Sequence, residues 1–121
     1  MKYAATQNFI NGKFVQAQSE RKMDVISPVD GKLLSTVPMS SFKDLDDAVK
    51  AAKAAFVTWS KTPIKERVQV FFRYKTLLEK NLKELAELCS EENGKTYSES
   101  VAEIEKSIEL TEFATSLPQL V

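Results

Sequence analysis

The sequence predicts an α+β fold: two N-terminal β-hairpins followed by three or four α-helices. Three observations predict it. Asn11-Gly12 and Asp30-Gly31 are turn dipeptides set between short runs of strand-forming residues. Beyond Ser41 the apolar residues recur every three or four positions, the spacing of a helix face. Ser41 and Thr96, both good N-caps, stand directly before two of those periodic stretches.

Asn8-Phe9-Ile10 and Lys13-Phe14-Val15 flank Asn11-Gly12, and Asn-Gly suits the positive φ angles of a tight hairpin. A polar stretch, Gln16 to Lys22, follows. Met23-Asp24-Val25-Ile26 reads as a strand ending at Ser27-Pro28. Asp30-Gly31 is the second turn, and Lys32 to Val37 is the strand leaving it. Pro38 has no N–H to give a ladder, so it ends that strand or places it at an edge.

Ser41, with Asp44 three residues on, opens the first helix. Phe42, Leu45, Val49, Ala52, Phe56 and Trp59 form its apolar stripe, and Lys43, Asp46, Asp47, Lys50 and Lys53 its polar face. Thr62-Pro63 restarts the chain, with proline where a missing N–H does no harm. The next helix carries Ile64, Val68, Phe71, Phe72, Leu77 and Leu78. Asn81 with Glu84 offers a new cap, so Leu82, Leu85, Leu88 and Cys89 either extend that helix or form another. The last helix starts at Thr96, uses Val101, Ile104, Ile108 and Phe113, and is closed by Pro118. Residues 1–38 are thus the hairpin part and 39–121 the helical part, with no complete second domain, internal repeat or flexible linker.

Composition excludes several classes of function. Acidic and basic residues balance at 17 each, and no basic stripe is present to recruit nucleic acid or an anionic membrane. Met1 to Asn8 lacks the apolar stretch of a signal peptide, and no run approaches the roughly 18 apolar residues of a membrane span. Histidine is absent, which removes the commonest general base and metal ligand. One cysteine allows no intrachain disulfide and suits a reducing compartment, so a soluble cytoplasmic or matrix-type protein is expected. The apolar ending, Ser116 to Val121, suggests a chain cut inside a larger fold.

No catalytic, cofactor-binding or metal-binding residue is assigned. Gly94-Lys95-Thr96 looks like the tail of a phosphate-binding loop, but that loop needs glycine where Cys89 stands and a preceding buried strand. Asn93-Gly94 reads instead as a helix stop, and Thr96 with Glu99 as a capping box. Cys89 shares a helical face with Leu82 and Leu85 and reads as a buried structural cysteine. Glu91, Glu92, Glu99, Glu103, Glu105, Glu109 and Glu112, with Lys106 interleaved, read as a solvated face rather than acid–base pairs. Trp59 reads as the cap of the apolar stripe, and Arg67 as a partner for a helix end or an acid.

The order of these elements resembles the N-terminal portion of the aldehyde dehydrogenase superfamily. The resemblance rests on Asn8-Phe9-Ile10-Asn11-Gly12-Lys13-Phe14, Ser27-Pro28-Val29-Asp30-Gly31, and Ala48-Val49 through Ala54-Ala55-Phe56 to Trp59. Arg67 follows at the superfamily's spacing, and Glu92-Asn93-Gly94-Lys95-Thr96 looks like its E-x-G-K segment. Gly94-Lys95-Thr96, Ala102 to Glu109, Glu112-Phe113-Ala114 and Leu117-Pro118 are most similar to the CoA-acylating methylmalonate-semialdehyde dehydrogenases, with other semialdehyde dehydrogenases as alternatives. Phe14 departs from the tryptophan frequent in that group.

The resemblance implies that residues 1–121 are the first quarter of an α/β enzyme, the N-terminal portion of its NAD-binding domain. The whole enzyme would oxidise malonate or methylmalonate semialdehyde with NAD, lose carbon dioxide and pass the acyl group to CoA, as in valine and inositol catabolism. A cysteine thiolate would attack the aldehyde and hydride would leave to NAD. That cysteine, its glutamate and asparagine partners and the dinucleotide-binding strands would lie beyond Val121, and Cys89 does not match the catalytic position. The chain alone would be inactive and bind neither cosubstrate. Its partners would be the rest of the parent chain and, in the parent, further copies in a homo-oligomer; the lone fragment could self-associate. Some family members hold a monovalent cation, and Glu103 with the backbone of Ile26 would match those positions. The contrasting reading is a stand-alone, non-catalytic helical interaction module.

Overall fold

The computed structural model describes residues 1–120, which fall into two compact units, Met1–Ser60 and a second beginning at Lys61. Val121, the last residue of the apolar ending, lies outside the described residues.

In the first unit, β1 (Asn8–Ile10) and β2 (Lys13–Val15) pair antiparallel in the register Asn8 to Val15, Phe9 to Phe14 and Ile10 to Lys13. Asn11 and Gly12 take φ angles of 52° and 74°, the two positive values a two-residue primed turn demands. A second two-stranded sheet joins β3 (Lys22–Ile26) to β4 (Leu33–Pro38). Its register shifts between Val25 and Ile26, and Pro38 sits at the ladder's end opposite Lys22. The turn between these strands is tied by Ser27, whose N–H donates to Lys32 O (2.9 Å) and whose carbonyl accepts from Gly31 N–H (2.9 Å).

The first residues do more than their composition suggests. Lys2 and Tyr3 N–H donate to Leu34 O, at 3.0 and 2.8 Å, and Thr6 N–H donates to Thr36 O at 2.9 Å. The Ser35 hydroxyl donates to Ala4 O at 2.7 Å. The free side of β4 is thereby covered, which blunts an edge that would otherwise offer unpaired backbone groups.

The first helix, α1 (Phe42–Trp59), has the expected capping box. Asp44 N–H donates to Ser41 Oγ (3.3 Å) and Ser41 N–H to Asp44 Oδ2 (2.7 Å). Asp44 also accepts from Gln18 N–H at 3.0 and 3.3 Å, so one carboxylate pins the polar stretch to the helix start. The expected apolar stripe is present but lies open: Phe42 is 84% exposed and Phe56 66%, with Leu45, Val49 and Trp59 exposed too. Trp59 therefore caps no buried stripe. A helix forms where its local signals lie; burial needs a neighbour, and within its own unit α1 packs only lightly, on β1.

The second unit is helical. The helix expected from Ile64 opens as a single turn, α2 (Ile64–Arg67), and passes through Val68 into α3 (Gln69–Lys80). Then follow α4 (Leu82–Asn93), α5 (Tyr97–Thr115) and a 3-10 turn at Leu117–Gln119 that contains Pro118. The break at Asn81 arises differently from the expected cap. Asn81 makes no side-chain cap on α4; its Nδ2 donates backward to Leu77 O at 2.7 Å, closing α3.

α5 packs against both α3 and α4. Its buried positions are Ser100, at 0% exposure, and Thr111, rather than the large residues of the expected face. Val101, Ile104 and Ile108 are half-buried, and Phe113 is exposed. Ala86 of α4 is likewise at 0%. Small residues let helices approach closely, and a buried hydroxyl is tolerated once it bonds the carbonyl one turn back. Ser100 Oγ donates to Thr96 O (3.1 Å) and Thr111 Oγ1 to Ser107 O (2.8 Å).

Candidate functional site

One dense polar constellation is the corner from Cys89 to Glu103, where α4 ends and α5 begins. Gly94 adopts φ 81°, the left-handed stop that a side chain would strain, and its N–H donates to Ser90 O at 2.9 Å. The Ser90 hydroxyl donates to Lys95 O at 2.7 Å and braces the bend. Thr96 N–H donates to Glu99 Oε2 (3.0 Å) and Glu99 N–H to Thr96 Oγ1 (3.3 Å), completing the second capping box.

The charges of the corner are absorbed by this geometry. The Thr96 hydroxyl and N–H hold the Glu99 carboxyl below its ordinary pKa. Lys95 Nζ pairs with Glu103 Oε2, and that bond raises the lysine above its ordinary range. Gly94-Lys95-Thr96 is thus a helix corner with its hydroxyl and ammonium engaged, not a phosphate cradle. Cys89 is a free thiol on α4, half-buried rather than fully buried. Along α5, Lys106 pairs with Glu109, and Lys75 of α3 reaches Glu79 (3.1 Å) and Glu112 (3.5 Å). The acidic face is largely one of ion pairs and caps.

Glu103, one of the two positions matched to a cation site, lies on α5 and is held by Lys95. Ile26, the other, ends β3 in the first unit. Among the described residues no group of three or more Asp, Glu or Cys side chains is gathered as a metal site, and no helix is long and apolar enough to cross a membrane.

Arg67 Nε is buried and has no hydrogen-bond partner among the described residues, so through that atom it bonds neither a helix end nor an acid there. Leaving a buried donor unsatisfied costs about 1–3 kcal/mol.

Sequence reasoning missed two features of the first unit. Asp44, only 4% exposed, joins Gln18 to the helix start, a contact across 26 residues that no local pattern signals. Its carboxyl is held below the ordinary value, chiefly by the Ser41 hydroxyl. A cleft of about 220 Å³ lies over Thr6, Gln16, Gln18, Glu20, Lys22 and Thr36. It holds no thiol and no pair of carboxylates. The chain's three glycines, at 12, 31 and 94, each serve a turn or helix stop at positive φ, so none is available for a glycine-rich dinucleotide loop.

Known proteins share this arrangement. The sequence pattern of the aldehyde dehydrogenase family matches residues 14–120. Malonate-semialdehyde dehydrogenase 1 of Geobacillus thermodenitrificans (strain NG80-2) is 45% identical over 115 residues, covering 95% of this chain and 24% of that protein. The malonate-semialdehyde dehydrogenase of Halalkalibacterium halodurans shows the same identity and coverage. Among solved structures, a protein of Sinorhizobium meliloti 1021 assigned as a methylmalonate-semialdehyde dehydrogenase, complexed with NAD, superposes with a TM-score of 0.91. It is 38% identical, over 99% of this chain and 24% of its own. A mutant aldehyde dehydrogenase C of Pseudomonas syringae, with NAD+ and octanal, also gives 0.91, at 31% identity. The chain spans about a quarter of the length of these relatives and corresponds to their N-terminal region.

Proposed function

The chain belongs to the aldehyde dehydrogenase family, and from that premise we propose that it serves as the structural N-terminal quarter of an NAD-dependent, CoA-acylating malonate- or methylmalonate-semialdehyde dehydrogenase. The observation that carries this reading is the 45% identity to malonate-semialdehyde dehydrogenases across 95% of the chain. In the whole enzyme the chemistry belongs to residues other than these: a thiolate nucleophile, a dinucleotide site and a CoA-accepting step, with NAD and CoA as cosubstrates. The role of residues 1–120 is to buttress.

Two features of the structure support that role. The face of α1 that carries Phe42, Leu45, Val49, Phe56 and Trp59 leaves all five of these large apolar side chains exposed, and clustered exposed apolar residues mark contact surfaces. The orphaned Nε of Arg67 calls for an acceptor from outside these residues. Each is explained by itself if the remainder of the enzyme packs against it, within a homo-oligomer in a reducing, cytoplasmic compartment. A self-contained interaction module would have to hide the same face on its own partner.

A chimera tests the proposal. Residues 1–120 replace the matching quarter of the Geobacillus thermodenitrificans enzyme, and NADH formation from malonate semialdehyde is followed with and without CoA. The expected result is a folded enzyme within about tenfold of the parent, a barrier change of about 1.4 kcal/mol. A soluble chimera that has lost CoA-dependent turnover would overturn the semialdehyde assignment. The purified chain by itself should form no NADH; turnover there would overturn the buttress role.

A further inference from the structure

The hairpin turn carries a chemistry that its structural role does not use. An asparagine followed by glycine can close on itself: the Gly12 backbone nitrogen attacks Asn11 Cγ, the bond from Cγ to the side-chain nitrogen breaks, and ammonia leaves. Water then opens the cyclic imide at either carbonyl. One opening yields aspartate in a normal backbone. The other yields isoaspartate, in which the chain runs through the side-chain carbons. No oxidant or reductant is needed.

We propose that Asn11 is a covalent modification site of this protein, converting to aspartate and isoaspartate in preference to every other asparagine in the chain. Four asparagines are present, and only Asn11 and Asn93 precede glycine. Asn8 and Asn81 precede Phe9 and Leu82, whose side chains crowd the attacking nitrogen. The fold separates the two remaining pairs. Gly94 N–H is held by Ser90 O at 2.9 Å, and Asn93 is the last residue of a twelve-residue helix. At the one Asp-Gly pair, Gly31 N–H is likewise held by Ser27 O at 2.9 Å, and Lys32 keeps the Asp30 carboxyl ionised, with a pKa of about 2. Gly12 N–H has no hydrogen-bond partner among the described residues, and the space around Gly12 is open.

Ring closure requires the turn to leave its paired conformation. That opening is easy here, because β1 and β2 are three residues each and pair only with one another. Two-stranded hairpins of that size are marginal in water. The two products then differ in consequence. Aspartate keeps the turn, since Asp-Gly suits it as well, and adds one negative charge to a chain of net charge zero. Isoaspartate inserts a backbone methylene between the strands. It shifts the Phe9 to Phe14 pairing and separates two rings that now meet edge to face at 5.0 Å.

The test ages the purified chain at mildly alkaline pH, with one sample native and one in concentrated urea. Peptide mass mapping reads amide-to-acid conversion at each asparagine, and an isoaspartyl methyltransferase reports the rearranged product. In the native sample Asn11 should convert about fivefold faster than Asn93, the factor an ordinary hydrogen bond on Gly94 N–H supplies. In urea the two should converge. Equal native rates, or a native preference that persists unchanged in urea, would overturn the proposal. Asn11→Asp, which keeps the turn, should leave the circular dichroism unaltered and abolish the fast conversion.

Discussion

α1 and α5 begin alike and end differently. Both are long, and both open on a complete reciprocal box, Ser41 with Asp44 and Thr96 with Glu99. Yet α1 leaves its phenylalanines in solvent while α5 buries a serine to 0% exposure. The difference lies in what stands opposite. α5 has α3 and α4 against it, close enough that small side chains are required, whereas α1 meets little besides β1 in its own unit. Helix formation is thus separable from helix burial. The first is decided by caps and periodicity, the second by the availability of a complementary surface.

The strongest way to break this comparison is to enlarge the small buried positions. Ser100→Leu should destabilise the chain by about 1–3 kcal/mol through overpacking, read from the urea midpoint. Phe56→Ser on the open face of α1 should stay within about 0.5 kcal/mol while reducing apolar-dye binding. If the phenylalanine change proved the costlier, α1 would not be the unburied member of the pair.

The caps should be equivalent, because their geometry is. Ser41→Ala and Thr96→Ala are each expected to cost about 1 kcal/mol, measured by thermal or urea unfolding. A much larger loss at Ser41 alone would show that the Asp44 clamp on Gln18, absent from the α5 box, carries weight of its own.

Acid should weaken both boxes. Asp44 and Glu99 have carboxyls held below their ordinary pKa, so their contribution is present above that ordinary range and lost as pH falls through the lowered value. Asp30, at about 2, follows the same sign and is lost last. Asp44→Asn should flatten the acid limb of a stability-against-pH curve; an unchanged limb would remove Asp44 from this role.

The smallest effect is expected at the alkaline end. Lys95 is raised by Glu103, so its contribution is full below its ordinary pKa and lost as pH rises through the raised one. Glu103→Gln should flatten that limb slightly, since the pair is partly exposed. Stability unchanged at every pH would show the pair to be energetically neutral.

Much of the fold is written in local sequence. Asn11-Gly12 and Asp30-Gly31 marked both hairpins, and Ser41, Gly94 and Thr96 marked helix ends, because each acts through its own backbone dihedrals or through a bond to a residue three away. The corner at Gly94-Lys95-Thr96 was separable from a phosphate loop for the same reason: the decisive glycine was missing from position 89. Less visible were Asn81, which closes the helix behind it, and Arg67, whose Nε finds no acceptor among the described residues. Nothing in the neighbouring residues says which way an amide or a guanidinium will point.

The sequence by itself determined where both hairpins turn and where α1 and α5 start, that these residues alone supply no histidine or intrachain disulfide, and which superfamily the chain resembles. Only the tertiary structure decided which faces are covered. Ser100 and Thr111 became core and Phe42 and Phe56 surface, against their hydrophobicity. The physical reason is range: a cap or a turn is satisfied within a few bonds, but burial is a property of two surfaces. Asp44 reaching back to Gln18, and residues 2–6 running along β4, are likewise contacts whose partners lie far off in the chain.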